Sequence, residues 1–581
     1  MKKNSLRIVP VVLGLLALSA CHTTEKIVSE GKEKVKSQAE TVQPLDRLSP
    51  RADSLFSVYT KKEEYGWQLK DPLEDKFAGM SVEKAYKDIL SQLPKGKTVI
   101  VAVLDTGMDI DHEDLKDVIW TNEDEIPGNG IDDDHNGYVD DVHGWNFLGN
   151  RDGRKAYHEQ LELTRIIAKY RPMWQDKTID QIPDKDKEMF KLYQRAEKAY
   201  KEKLKKAKAL ERRLRMRELA ISQIEKTLKD YLKTDSLSES KVKNIQTDDE
   251  KVMQAKKFYL LGYNSHNKRL KEYKNYVEGQ IKYNLNLDFN GRKVVGDNPD
   301  DFNDRNYGNP DVRPVDADEA HATHVAGIIA AVRHNGIGID GVADNVKIMP
   351  IRAVPDGDEY DKDIALGIRY AVDNGAKIIN MSFGKYFSPH KQWVWDAIEY
   401  ARQHDVLLVN AAGNEAKDMD KFGENISYPN DGEKPGQDKE NFITIGAYGP
   451  IFGANMPAPF SNYGKTTVDI FSPGVNIYST VPFSDYASFN GTSMAAPDAA
   501  GVAALIRSRF PELTAGEVKK ILMDSGIRPA ILVFVPDESG KETPEVKPFK
   551  DLCKSGRIIN AYNALLMAKK MADAKKKAAN N

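Results

Sequence analysis

Thr98-Val-Ile-Val-Ala-Val-Leu104 is a continuous apolar run that ends in Asp105-Thr106-Gly107. An unbroken series of β-branched and aliphatic residues suits a strand covered on both faces, so it predicts a central parallel strand in an α/β fold. Asp105 then stands at the carboxyl edge of that strand, where open α/β sheets bind ligands. Taken alone, an Asp there serves equally well as a cap on the next turn.

Two distant stretches carry complementary chemistry. His321-Ala-Thr-His-Val-Ala-Gly-Ile-Ile-Ala-Ala331 is small and apolar at helical spacing, with His321 in its first turn. Phe489-Asn-Gly-Thr-Ser-Met-Ala-Ala-Pro497 turns at Asn490-Gly491, and Thr492 and Ser493 then start an Ala-rich helix. A hydroxyl at such a helix start has backbone N–H groups beside it that stabilise developing negative charge. The chain order Asp105, His321, Ser493 is the order of acid, base and nucleophile in subtilisin. Together the Asp-Thr-Gly, His-x-Thr-His-Val-Ala-Gly and Gly-Thr-Ser-Met-Ala-Ala-Pro segments resemble the signature motifs of the subtilisin-like serine peptidases. Ile379-Asn-Met-Ser-Phe-Gly384 resembles that family's substrate-cleft strand, and Val409-Asn-Ala-Ala-Gly-Asn414 its oxyanion-hole loop. Phe460–Gly464 and Val468–Gly474 are similar to further core segments, so the likeness spans roughly 95–150 and 300–512.

The resemblance implies a three-layer α/β domain with a central parallel sheet and serine endopeptidase activity on extended polypeptides. Ser493 would attack the scissile carbonyl, His321 would carry the proton, and Asp105 would orient the imidazole. Asn414 would donate to the oxyanion, while Ser382, Phe383 and Gly384 would pair with substrate as an added strand. Phe383 would offer an apolar wall to side chains next to the cut. Two positions depart from the family. Ala322 replaces a usual Gly beside the His and puts a methyl near the imidazole. Asp498 replaces a usual His and adds a carboxylate behind the nucleophile, which is expected to raise the His321 pKa. A catalytically impaired envelope lipoprotein that binds a protein partner through its cleft and helical arm is the alternative function. His321 and His324 lie three apart, without the i, i+4 spacing and intervening Glu of zinc peptidases, so His324 reads as a core histidine.

A metal is expected elsewhere. Asp132, Asp134, Asn136 and the Tyr138 carbonyl fall at alternate positions before and after Gly137, as in the first half of a calcium loop. His143 stands where a loop of that type ends in Glu, so Asp141 or Asp140 would complete the shell of a structural calcium. No organic cofactor is implied.

The 581-residue chain has a formal charge of −3 that is unevenly spread. Residues 151–290 hold 34 Lys/Arg against 22 Asp/Glu, so a basic segment sits on an acidic body. Within it, Lys185 to Ser240 has no Gly or Pro, and apolar residues recur from Tyr193 through Ala207, Leu214 and Ile221 to Leu228 at helical spacing. A second helical stretch over 251–283 predicts an inserted antiparallel helical hairpin, with a protein partner or an anionic envelope component as its candidate ligand. Interleaved Glu argues against nucleic acid. At the N-terminus, Lys2, Lys3 and Arg7 precede the apolar run Ile8–Ala17, and Leu18-Ser-Ala-Cys21 closes it. This looks like a bacterial lipoprotein signal with Cys21 as the lipidated residue, which implies a lipid-anchored protein of the cell envelope. Cys553 is the one other cysteine, so no internal disulfide framework exists. The expected organisation is signal 1–20, tether 21–64, catalytic domain 65–150 and 291–566, helical insertion 151–290 and a fraying tail 567–581.

Overall fold

The computed structural model describes residues 47–48, 65–261, 263–421, 423, 425–432, 437–537 and 544–580. The expected signal segment and nearly all of the expected tether, Cys21 included, lie outside the described residues. The apolar run forms strand β1 (Val99–Asp105), buried along almost its whole length. It sits inside a seven-stranded sheet with β2 (Trp145–Asn146), β3 (Val346–Arg352), β4 (Ile378–Met381), β5 (Leu407–Ala411), β6 (Phe442–Tyr448) and β7 (Ile470–Pro473). The spatial order is β2-β3-β1-β4-β5-β6-β7, with every pairing parallel. Parallel strands need crossovers, and the helices that provide them cover both faces. One face packs on α5 (His321–Ala330) and α8 (Thr492–Arg509), the other on α6 (Asp361–Asp373) and α7 (Lys391–Gln403). A hairpin of β8 (Ile477–Val481) and β9 (Asp485–Phe489) leads into α8.

The insertion between β2 and α5 is helical, as its stripe predicts. Helix α1 (Glu162–Trp174) packs at its base, α2 (Lys187–Leu232) forms its spine, and α3 (Glu250–Leu260) and α4 (Tyr263–Gly279) return along it. The spine's 46 residues make a rod of about 69 Å at 1.5 Å per residue. Leu214 and Ile221 pack on Leu270 and Val277, and Leu228 on Val252 and Tyr259. That order runs backwards along the returning helices, which is the antiparallel arrangement. Buried ion pairs root this arm in the body. Arg292 bonds Asp297 at 2.6 Å and Asp363 at 2.8 Å, and Lys385 bonds Glu162 at 2.8 Å and Asp361 at 2.9 Å. Each charge there is paired and hydrogen-bonded, the condition for burying it.

The C-terminal segment differs from expectation. In place of a fraying tail, α9 (Ala515–Ser525) is followed by a helix α10 that runs from Ala561 to Asn580. Ala568 and Ala572 are fully buried, and Lys575 pairs with Glu517 on α9 at 2.5 Å. Small residues one turn apart let α10 lie close against the body and keep its last turns attached.

Candidate active site

The sheet's carboxyl edge and two buried helices build the site. Asp105 ends β1 with no exposed surface. Its Oδ1 accepts from the Thr106 N–H at 2.7 Å and from His321 Nδ1 at 2.7 Å, across 216 positions of sequence. Several contacts fix the approach of α5 to this edge. Thr106 Oγ1 accepts from the Ala322 N–H at 3.0 Å, and Thr323 Oγ1 from the Asp109 N–H at 3.0 Å. Glu319, just before α5, accepts from the Gly107 N–H and from Arg352 Nε, each at 2.8 Å. Ala322 is fully buried on the core side, so its methyl leaves the Asp105–His321 bond intact. Sequence reasoning passed over Glu319, whose nearness to His321 was its signal.

The His321 ring is one-third exposed, which leaves an edge open to the cleft. Burial alone would depress its pKa, but the charge and hydrogen bond of Asp105 outweigh that and hold the imidazole above its usual value. Asp498 does not contribute to this shift. Its carboxyl is wholly buried, has no hydrogen-bond partner among the described residues, and is pushed well above the carboxylate range by burial. The expectation that Asp498 raises the His321 pKa is therefore corrected: the charge and hydrogen bond of Asp105 raise it. His324 is a core residue as read. It is stacked on Phe489 at 4.3 Å, bonded to the Ala487 carbonyl at 3.1 Å, and lowered to about 3 by burial.

Ser493 occupies the first turn of α8, behind Gly491. Its hydroxyl donates to the Ser382 carbonyl at 2.9 Å, and the Ser382 hydroxyl donates to the Ser493 carbonyl at 2.8 Å. These reciprocal bonds tie the helix start to the segment Ser382-Phe383-Gly384, whose Ser is buried, Phe half-buried and Gly exposed. Asn414 Oδ1 accepts from the Thr492 N–H at 2.9 Å and the Thr492 hydroxyl at 3.1 Å. With its oxygen so occupied, the Asn414 amide nitrogen turns to the same space as the Ser493 N–H. A Cβ placed on Gly491 would lie 3.5 Å from Ser493 N and 3.7 Å from Asn414 Nδ2. Glycine leaves that space, beside both nitrogens, free for a ligand atom.

The acidic loop assembles differently from its linear pattern. Asp134 and Asp141 converge with Glu125, their oxygens all within 4.8 Å of one another. Asn122 and Asn136 amides bridge the two aspartates at 3.0 and 3.1 Å. Asp132 accepts from the Asn136 and Gly137 N–H groups at 3.0 and 2.9 Å and shapes the turn. The Tyr138 ring packs on Trp145 and Tyr370. Glu125 was missed because it lies upstream of the loop spacing.

The subtilase family (Peptidase_S8) matches residues 96–545, over three-quarters of the chain. "Thermophilic serine proteinase" of Bacillus sp. (strain AK1) is 39% identical over 223 residues, 38% of this chain and 49% of that protein. "Subtilisin DY" of Bacillus licheniformis is 36% identical over 203 residues, 35% of this chain and 68% of that protein. "Subtilisin BL" of Lederbergia lenta is 36% identical over 207 residues, 35% of this chain and 69% of that protein. The chain thus spans from about half to about two-thirds of the length of these relatives. The long insertion that separates Asp105 from His321 is carried within the matched region, and the chain belongs to the subtilase family of peptidases.

Proposed function

We propose that this chain is a serine endopeptidase that cuts extended polypeptides through an acyl-enzyme. The carrying observation is the His321–Asp105 bond at a sheet edge, with Ser493 held at a helix start against the cleft strand. Rotation about the Ser493 side chain moves its hydroxyl from the Ser382 carbonyl towards the open edge of His321. Ser493 Oγ then bonds to the scissile carbonyl carbon while its proton passes to His321 Nε2. The carbonyl oxygen becomes an oxyanion between the Asn414 amide and the Ser493 N–H. Collapse breaks the C–N bond, and His321 returns the proton to the leaving amine. Water, deprotonated by His321, then hydrolyses the ester and restores the serine. Asp105 accepts a hydrogen bond from the Nδ1–H throughout, which fixes the tautomer and stabilises the imidazolium. Ser382, Phe383 and Gly384 supply the edge on which the substrate lies. Casein digestion by the purified protein, lost in Ser493→Ala, is the test. A digestion that survives this change contradicts the assignment.

The reading includes a structural calcium ion held by Glu125, Asp134 and Asp141. Glu125 fits such a role because its Oε2 is buried and has no hydrogen-bond partner among the described residues. A divalent cation would offset most of the charge of the three carboxylates and pin the loop to the sheet. It also includes anchoring by lipid on Cys21 in a bacterial envelope, supported by the charged, apolar and small-residue order of residues 2–21. Metabolic labelling with a radioactive fatty acid, abolished in Cys21→Ala, checks that part.

A further inference from the structure

We propose that Tyr386 is a positioning residue through which the helical insertion sets the oxyanion donor Asn414. The proposal rests on the donor role given to Asn414 above. Tyr386 lies two residues beyond Gly384, where the cleft strand leaves the active site. Its hydroxyl donates to the Glu415 carboxylate. The same Glu415 oxygen accepts from the Asn414 N–H at 3.1 Å and from the Asn462 amide at 3.1 Å. Asn462 is fully buried and holds the rest of this loop. Its Oδ1 accepts from the Glu415 and Lys417 N–H groups at 3.2 and 2.8 Å, and its Nδ2 donates to the Ala412 carbonyl at 2.8 Å. The Asn414 backbone is thereby fixed from two sides, by the body through Asn462 and by the cleft-strand exit through Tyr386.

The other side of Tyr386 belongs to the insertion. Arg195 on α2 donates to the Tyr386 carbonyl at 2.9 Å and lies 4.7 Å over the Phe387 ring. Phe387 is buried in the insertion's basal core with Trp174, Phe190 and Tyr193, while Lys385 is bonded to Glu162 at the start of α1. Residues 385, 386 and 387 are thus each attached to the insertion. Movement of its base displaces the Tyr386 hydroxyl, and with it Glu415 and the N–H of Asn414. An oxyanion donor must sit within about 3 Å of the oxygen it serves, and a displacement near 1 Å costs on the order of 100-fold in rate. This gives an otherwise remote arm a route to kcat.

The test is a double-mutant cycle on the full chain, with kcat and KM measured on a chromogenic peptide. Tyr386→Phe keeps the ring under Lys417, which lies 3.3 Å from its centroid, and deletes only the hydroxyl. The expected result is a roughly tenfold lower kcat with KM within about twofold and an unchanged Tm. In an Asn414→Ala background the same change is expected to cost less than about twofold, because its target is gone. Glu415→Gln, which weakens the acceptor, is expected to lower kcat in the same non-additive way. Equal losses from Tyr386→Phe in both backgrounds, or no loss in either, overturn the proposal while leaving the Asn414 role standing. An Asn414→Ala enzyme with wild-type kcat removes the donor role itself and this proposal with it.

Discussion

Helices α8 and α2 are long elements of opposite character. In α8, 16 of 18 residues are buried and half of those are Ala, Gly or Val; in α2, seven of 46 are buried and the rest are largely Lys, Arg and Glu. The first is a packed axle that passes behind the sheet and delivers Ser493 to its edge. The second is a rod held along a narrow stripe by the helices returning beside it. Dense packing makes position sensitive to single methyl groups, while a narrow stripe concentrates stability in a few side chains and leaves the remainder free. Substitutions in the body should therefore register in catalysis, and those at the arm's far end in stability alone.

The largest expected effect sharpens the body's side of this contrast. Asp105→Asn is expected to lower kcat by about 10⁴-fold by favouring the wrong tautomer of His321. Loss of the carboxylate also removes what holds the imidazole above its usual pKa. The general base must be neutral, so wild-type kcat/KM falls as pH drops through the raised His321 value. In the Asn variant this acidic limb moves to lower pH, and a pH profile of residual kcat/KM checks both statements.

Leu228→Ala at the arm's far end is expected to cost about 2–5 kcal/mol of arm stability, because that side chain is fully buried against Val252 and Tyr259. Hydrogen exchange should show α3 and the end of α2 opening while kcat stays within twofold. A large fall in kcat would break the division between the two regions. Gly501→Ala probes the axle from the other side. The added Cβ would meet Val342 Cβ at 2.5 Å, so a loss of about 1–3 kcal/mol is expected in urea unfolding.

Asp498 gives a smaller, pH-graded effect. Burial raises its carboxyl pKa in the folded state, whereas the unfolded chain ionises near the ordinary carboxylate value of about 4. Its stabilising contribution is fully present below that value and declines as pH rises towards the folded pKa, by at most about 1.4 kcal/mol per pH unit. Asp498→Asn should flatten this decline, so variant and wild type should diverge in urea midpoint as pH rises above about 4, with the variant ahead. At the bottom of the scale, Met216→Lys changes an arm side chain that is 67% exposed and is expected to alter stability by less than about 0.5 kcal/mol.

What the sequence disclosed follows from how locally each feature is encoded. Residues 98–104 announce a buried parallel strand because every side chain in them is apolar, and the stripe from Tyr193 to Leu228 announces a helix through its period. Asp105, His321 and Ser493 were legible through the short segments around them, and Asn414 through its loop. Contacts made only by tertiary approach were not. Glu125 joins Asp134 and Asp141 from outside their spacing, Glu319 bolts α5 to β1, and Tyr386 reaches Glu415 across the cleft loop. The raised pKa of Asp498 was hidden for the same reason, since burial sets it and charge counting cannot. Residues 567–580 read as a polar tail because Ala568 and Ala572 show their packing role only when α10 is seen against the body.

The proposed activity depends on Ser493 acting as a nucleophile activated by His321 and Asp105. Reaction of the full chain with a fluorophosphonate probe, followed by mass-spectrometric mapping of the adduct, addresses it most directly. One stoichiometric adduct on Ser493 is expected, formed in wild type and greatly slowed in His321→Ala. A correctly folded wild-type protein that remains unlabelled, or an adduct placed on another residue, would contradict it.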